Sequence, residues 1–194
     1  LDSTPVSLLD QLRRLPTDEL WRRLVEFCGP FIDKWLRQEG IRGDAVDDIC
    51  QEVLLTLVRE LANFQHSGRN GAFRHWLKNV VRHRMLSYCR AQRSMPAAGG
   101  DIMGLYDQLE DPDSAVSRRW DAEHDEHALR QVLRVVERDF NTSTWLAFQR
   151  QALEDANPVD VAAELGMSLD AVYLARTRVL KRLREAGQGL IEVD

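Results

Sequence analysis

"PVDVAAELGMSLDAVYLARTRVLKRLRE", residues 158–185, decides the fold. Apolar residues return at helical spacing on both sides of a Gly–Met–Ser interruption. Val161 and Leu165 face inward from a first helix, and Ala162 is small where two helices must meet closely. Gly166 supplies a left-handed turn residue. Met167 packs beneath the turn, Ser168 caps the second helix, and Val172 and Val179 anchor it. This is the layout of a helix-turn-helix. The second helix carries Asp170, Ala171, Tyr173, Leu174, Thr177, Arg178 and Lys181 on its outer side. Such a helix fits a DNA major groove, with Arg178 and Lys181 placed for phosphates or guanine.

Outward from this segment the same periodicity predicts further helices at 6–14, 18–38, 44–63, 72–92, 115–138 and 142–153. The two halves of the motif occupy 158–165 and 169–186. Strand signals are nearly absent, so the fold class is all-α, in two small helical domains. "SMPAAGGDIMGLYDQLEDPDS", 94–114, is rich in Gly, Pro and Asp and reads as a flexible acidic linker. It divides a helical domain over 1–93 from a C-terminal one over 115–194.

The chain is acidic at −5, but its charge is unevenly spread. Residues 61–100 hold seven Arg or Lys and no acid, whereas 101–128 hold two bases and nine acids. Within the basic block, Phe73, Trp76, Leu77, Val80, Val81 and Tyr88 cover one side of the 72–92 helix. Arg74, His75, Lys78, Asn79, Arg82, His83, Arg90 and Arg93 cover the other. Cations mixed with planar groups suit phosphates and unpaired bases. A solvated charged face is the plain alternative. The preceding "FQHSGRNGAF" brings His66, Arg69 and Asn70 to a glycine-rich loop, which is either a nucleic-acid contact or a surface turn. Arg84 points into the apolar side and needs a carboxylate, Asp48 or Glu52. The acidic stretch that follows could fold back and mask the basic one.

On the 44–63 helix, Val46, Cys50, Val53, Leu57 and Leu61 form the core stripe. Asp48, Gln51, Arg59 and an apolar Leu55 lie opposite, with Val58 at the margin. Leu55 is either a single exposed leucine or the anchor of a partner surface. Cys28, Cys50 and Cys89 are odd in number and widely spaced, so they read as packing residues in a reducing cytoplasm. His124 and His127 lack a third ligand and read as solvated, with no metal site. No apolar run reaches a membrane span, and the N-terminus lacks signal-peptide order. No nucleophile–base pair, phosphate loop or cofactor motif is present, so no enzyme is expected and no cofactor.

"DDICQEVLLTL" (47–57) resembles the core-polymerase-binding helix of bacterial sigma factors. "FRHWLKNVVRHRMLSYCR" (73–90) is similar to their F-x-x-W-L-x-x-I-A-R-N-R-x-x-D-x-x-R segment, and 161–184 to their promoter-binding helix-turn-helix. With only these modules, in this order, the chain resembles the extracytoplasmic-function (ECF) sigma factors. The resemblance implies that Asp48, Gln51, Glu52, Leu55 and Arg59 meet the clamp helices of bacterial core RNA polymerase. His66, Arg69, Asn70, Arg74, His75, Lys78, Asn79, Arg82 and His83 would capture the single strand of a melted −10 element. Ser168, Ala171, Tyr173, Leu174, Thr177, Arg178 and Lys181 would read the −35 element of promoter DNA as duplex. An anti-sigma factor, common in the family, would use the polymerase-binding surfaces. The sequence departs from the family at His83 (usually Asn), Ser87 (often Asp) and Arg176 (more often apolar), which shifts packing onto Ala175. The competing reading is a stand-alone helix-turn-helix regulator that binds a palindromic duplex without polymerase.

Overall fold

The computed structural model describes residues 8–61, 64, 71–91 and 101–187. Regular structure among them is helical: α1 (Leu8–Arg14), α2 (Asp18–Gln38), α3 (Asp44–Glu60), α4 (Ala72–Ala91), α5 (Ile102–Glu110), α6 (Ala115–Glu137), α7 (Thr142–Phe148), α8 (Pro158–Leu165) and α9 (Leu169–Gly187). Their starts have local causes. Thr17 Oγ1 accepts from Leu20 N at 3.3 Å and Asn141 Oδ1 from Thr144 N at 2.8 Å, each satisfying an orphan first-turn donor. Packing sorts the helices into two units, Leu8–Ala128 and 129–187, with the division falling within α6.

In the larger unit α2 buries Phe27, Phe31, Ile32, Trp35 and Leu36 on one face. They join Val46, Ile49, Val53 and Leu57 of α3 and Phe73, Leu77, Val81 and Met85 of α4 in a single core. Ile49, and not Cys50, completes the α3 stripe; Cys50 is half-buried and its thiol lies 3.8 Å from Gly29 O. Trp120 of α6 is fully buried, edge-on to Trp35 at 4.8 Å and to Phe31 at 4.9 Å.

The expectation of a flexible linker over 94–114 is corrected from residue 101 onward; 94–100 lie outside the described residues. Ile102, Leu105 and Leu109 sit at helical spacing on α5 and are buried in the same core. The residues that suggested a linker are helix signals. Asp101 caps α5 by accepting from Gly104 N at 2.8 Å, and Ser114 Oγ accepts from Ser117 N at 2.9 Å at the start of α6. Asp and Ser at a helix start look compositionally like a loop. The expected boundaries at 93 and 115 therefore fall inside the larger unit. His124 and His127 are not solvated either. His124 is buried against Phe27, Phe31 and Phe73, and His127 Nε2 lies 2.8 Å from Phe27 O.

In the smaller unit Ala147, Val161, Val172 and Ala175 form the core, flanked by Ala162, Leu165 and Met167. Gly166 ends α8 at φ 63°, ψ 30°, and Met167 N donates to Ala162 O at 3.0 Å. A residue with a Cβ is strained in that left-handed conformation. The expected helix over 142–153 changes character partway: α7 continues as a π-helical turn over Gln149–Leu153. That turn buries Gln151, whose Nε2 donates to Ala147 O at 3.1 Å and to Val172 O at 2.9 Å, tying it to α9. Asp155 follows at φ 52°, the one non-glycine residue at positive φ among those described.

Candidate nucleic-acid interface

The outer row of α3 is open. Asp48, Gln51, Glu52, Leu55 and Arg59 are all exposed, at three- and four-residue spacing. Leu55 is 38% and Val58 43% exposed, because the opposite side of α3 already fills the core. Hollows flank this row. One, of about 420 Å³, is lined by Val25, Cys50, Leu54, Leu55 and Val58, with Asp33 and Asp47 among its walls. The other, of about 380 Å³, lies toward α4, between Asp48, Glu52, Arg84 and Tyr88. Arg84 Nη1 is 4.0 Å from Glu52 Oε2, one of the two carboxylates expected for it. An apolar ridge with a polar rim is the surface chemistry of a protein interface.

The basic side of α4 is divided. Lys78 is only 4% exposed and donates to Ser117 Oγ at 2.8 Å and Asp121 Oδ1 at 3.0 Å. Arg74 Nε lies 3.2 Å from Asp121, and its Nη1 pairs with Asp125. Arg82 Nη2 reaches Glu110 at 2.9 Å and the Tyr106 hydroxyl at 3.0 Å, and its guanidinium lies 4.5 Å from the Tyr106 ring centre. Burial works against the charge on Asp125. Hydrogen bonds from His124 and Arg74 overcome it and hold the carboxyl below its ordinary range.

The expectation of one open basic face carrying Arg74, His75, Lys78, Asn79, Arg82 and His83 is thus corrected. Three of its cations face α5 and α6. The acids that meet them come from both sides of the expected boundary, Glu110 from one and Asp121 and Asp125 from the other. This is more than a charged flap. Lifting α5 and α6 would expose Ile102, Leu105, Leu109 and Trp120 to water, at roughly 2 kcal/mol each. The contact is a wall of the domain, not a displaceable cover.

His75, His83, Ser87 and Arg90 remain exposed, with Asn79 half-buried between them. They form a second row along α4. Ser87 Oγ donates to His83 O at 3.0 Å, so its hydroxyl hydrogen is used within the helix. His66, Arg69 and Asn70 lie outside the described residues. Tyr106, Ser117, Asp121 and Asp125 escaped sequence reasoning. The available signal was the run of nine acids after the basic block.

On α9 the outer residues Asp170, Tyr173, Leu174, Thr177, Arg178 and Lys181 are exposed, and Ala171 is half-buried. Ser168 Oγ accepts from Ala171 N at 3.2 Å, so it acts as the cap. Ala175 is buried and Arg176 exposed, as the departure at 176 predicts.

Residues 24–95 match the family model of Sigma-70 region 2, the segment that includes α3, α4 and most of α2. No curated protein sequence matches the chain. Among the described residues, no helix is long and apolar enough to cross a membrane.

Proposed function

We propose that this chain, whose residues 24–95 match Sigma-70 region 2, is a two-domain sigma factor of the ECF type that serves transcription initiation by RNA polymerase. In this reading α3 docks on core polymerase, α4 holds a separated −10 strand, and α9 reads the −35 duplex. The observation that carries it is the outer row of α3. Asp48, Gln51, Glu52, Leu55 and Arg59 stand exposed between hollows, within the matched segment.

The division of α4 sharpens the strand-binding role. The strand follows His75, Asn79, His83 and Arg90, joined by His66, Arg69 and Asn70 from the preceding segment. Planar imidazole and amide groups offer stacking and base-edge hydrogen bonds. Arg74, Lys78 and Arg82 act at one remove, by fixing α4 against α5 and α6. An anti-sigma factor covering the α3 row would compete with polymerase for it.

The deciding test is binding to purified core RNA polymerase. Leu55→Asp should lose that binding while the circular dichroism spectrum and melting temperature stay unchanged. Equal affinity of variant and wild type would overturn the docking role of α3. A folded wild type that binds duplex DNA but no polymerase would instead support the stand-alone regulator.

A further inference from the structure

The outer row of α9 changes chemistry along its length. Tyr173 is 49% and Leu174 46% exposed, and Leu169 at the start of the helix is exposed as well. The hydroxyl groups nearby are engaged locally. Ser168 Oγ accepts from the Ala171 amide, and Thr177 Oγ1 donates to Tyr173 O at 3.1 Å. The first two turns therefore present an aromatic ring, an isobutyl group, the Thr177 methyl and one carboxylate, Asp170. Cations enter the row only at Arg178 and Lys181.

In a major groove, guanine offers two acceptors that call for a paired donor such as Arg or Lys. Thymine offers a C5-methyl group. The N-terminal turns of a reading helix meet base edges, while phosphate contacts fix its register. Along this row the first two turns of α9 hold no paired donor for guanine; Arg176, also exposed there, falls nearer the buried stripe of Val172, Val179 and Leu183 than the row. The Tyr173 hydroxyl is a single group at the end of an apolar ring. What these turns do hold is apolar surface of a size to bury methyl groups.

We propose, resting on the reading of α9 as the duplex-reading helix, that Tyr173 and Leu174 are its specificity residues and recognise thymine methyl groups. Arg178 and Lys181 anchor the same helix on phosphates without choosing the sequence. A protein could also dock on this apolar patch. The continuation of the row into Arg178 and Lys181 favours a polyanion.

The test uses the full chain with core RNA polymerase. Duplexes are selected from a random library, the protected upstream element is mapped, and each thymine in it is replaced by deoxyuridine, which lacks only the methyl group. The selected elements should contain thymine, and each contacted position should lose about fourfold in affinity on replacement, the effect of one buried methyl group. Tyr173→Ala and Leu174→Ala should bind the thymine and uracil duplexes alike. Arg178→Ala should weaken both by one factor and keep their ratio. Equal binding of thymine and uracil duplexes by wild type, with the upstream element still protected, overturns the methyl readout alone. Absence of any protected upstream duplex overturns the duplex-reading role beneath it. If Tyr173→Ala and Leu174→Ala leave both affinities at the wild-type value, the patch does not touch DNA and faces a protein instead.

Discussion

Helices α4 and α9 are basic helices of the two units, and the cations expected to face DNA on each meet different fates. On α4, Arg74, Lys78 and Arg82 are turned into the protein and paired with Asp125, Asp121 and Glu110. On α9, Arg178 and Lys181 remain exposed at the end of an open row. Five Arg or Lys on each helix are therefore not equally available. A count of lysines and arginines measures electrostatic potential in the unfolded chain. Availability depends on which acids the fold delivers, and here helices beyond the basic block supply them.

The comparison breaks most directly at Lys78. Lys78→Met removes a buried ammonium and leaves Asp121 and Ser117 short of a partner. The larger unit should lose about 3 kcal/mol in urea unfolding, in line with breaking a buried pair from one side. A loss under about 0.5 kcal/mol would mean that Lys78 is a surface residue like those of α9. Arg178→Ala is the converse. Stability should stay within about 0.5 kcal/mol, while duplex affinity in the presence of polymerase should fall by about fivefold and the salt dependence should become shallower. A stability loss matching that of Lys78→Met would erase the distinction.

The smaller unit offers a milder test of how tightly α9 is held. Asp155 occupies a left-handed conformation after the π-helical turn. Asp155→Gly should raise the stability of that unit by somewhat under about 1 kcal/mol, read as a higher melting temperature, with DNA binding unchanged. The smallest effect is on acidification. The Asp125 carboxyl is held below its ordinary range in the folded chain, so its contribution is present above the unfolded value near ~3.9. It is lost as pH falls through the lower folded value. Asp125→Asn should flatten that acid limb of the stability curve while leaving the neutral region parallel to wild type.

Much of the architecture was legible because its signals are local. The αL residue Gly166, the Ser168 cap and the buried Val172 and Val179 each depend on neighbours within a turn of helix. The exposed row Asp48–Gln51–Leu55–Arg59 was readable for the same reason, since helical spacing alone assigns the faces of α3. α5 was misread because Asp101 and Ser114 serve equally in caps and in loops, and the three apolar residues between them make a short stripe. His124 was misread because a helix of strongly polar composition gives no sign that one turn is pressed against Phe27 and Phe31.

The sequence by itself determined an all-α chain, the identity of most helices, the turn before α9 and the resemblance to sigma factors. All of these follow from contacts a few residues apart, whose geometry the helix itself fixes. Only the tertiary structure decided which cations are free. Lys78 meets Asp121 across 43 positions of chain and Arg74 meets Asp125 across 51. Those pairs form because burial of Trp120, Ile102, Leu105 and Leu109 carries α5 and α6 onto α4, bringing the acids within reach of the cations there.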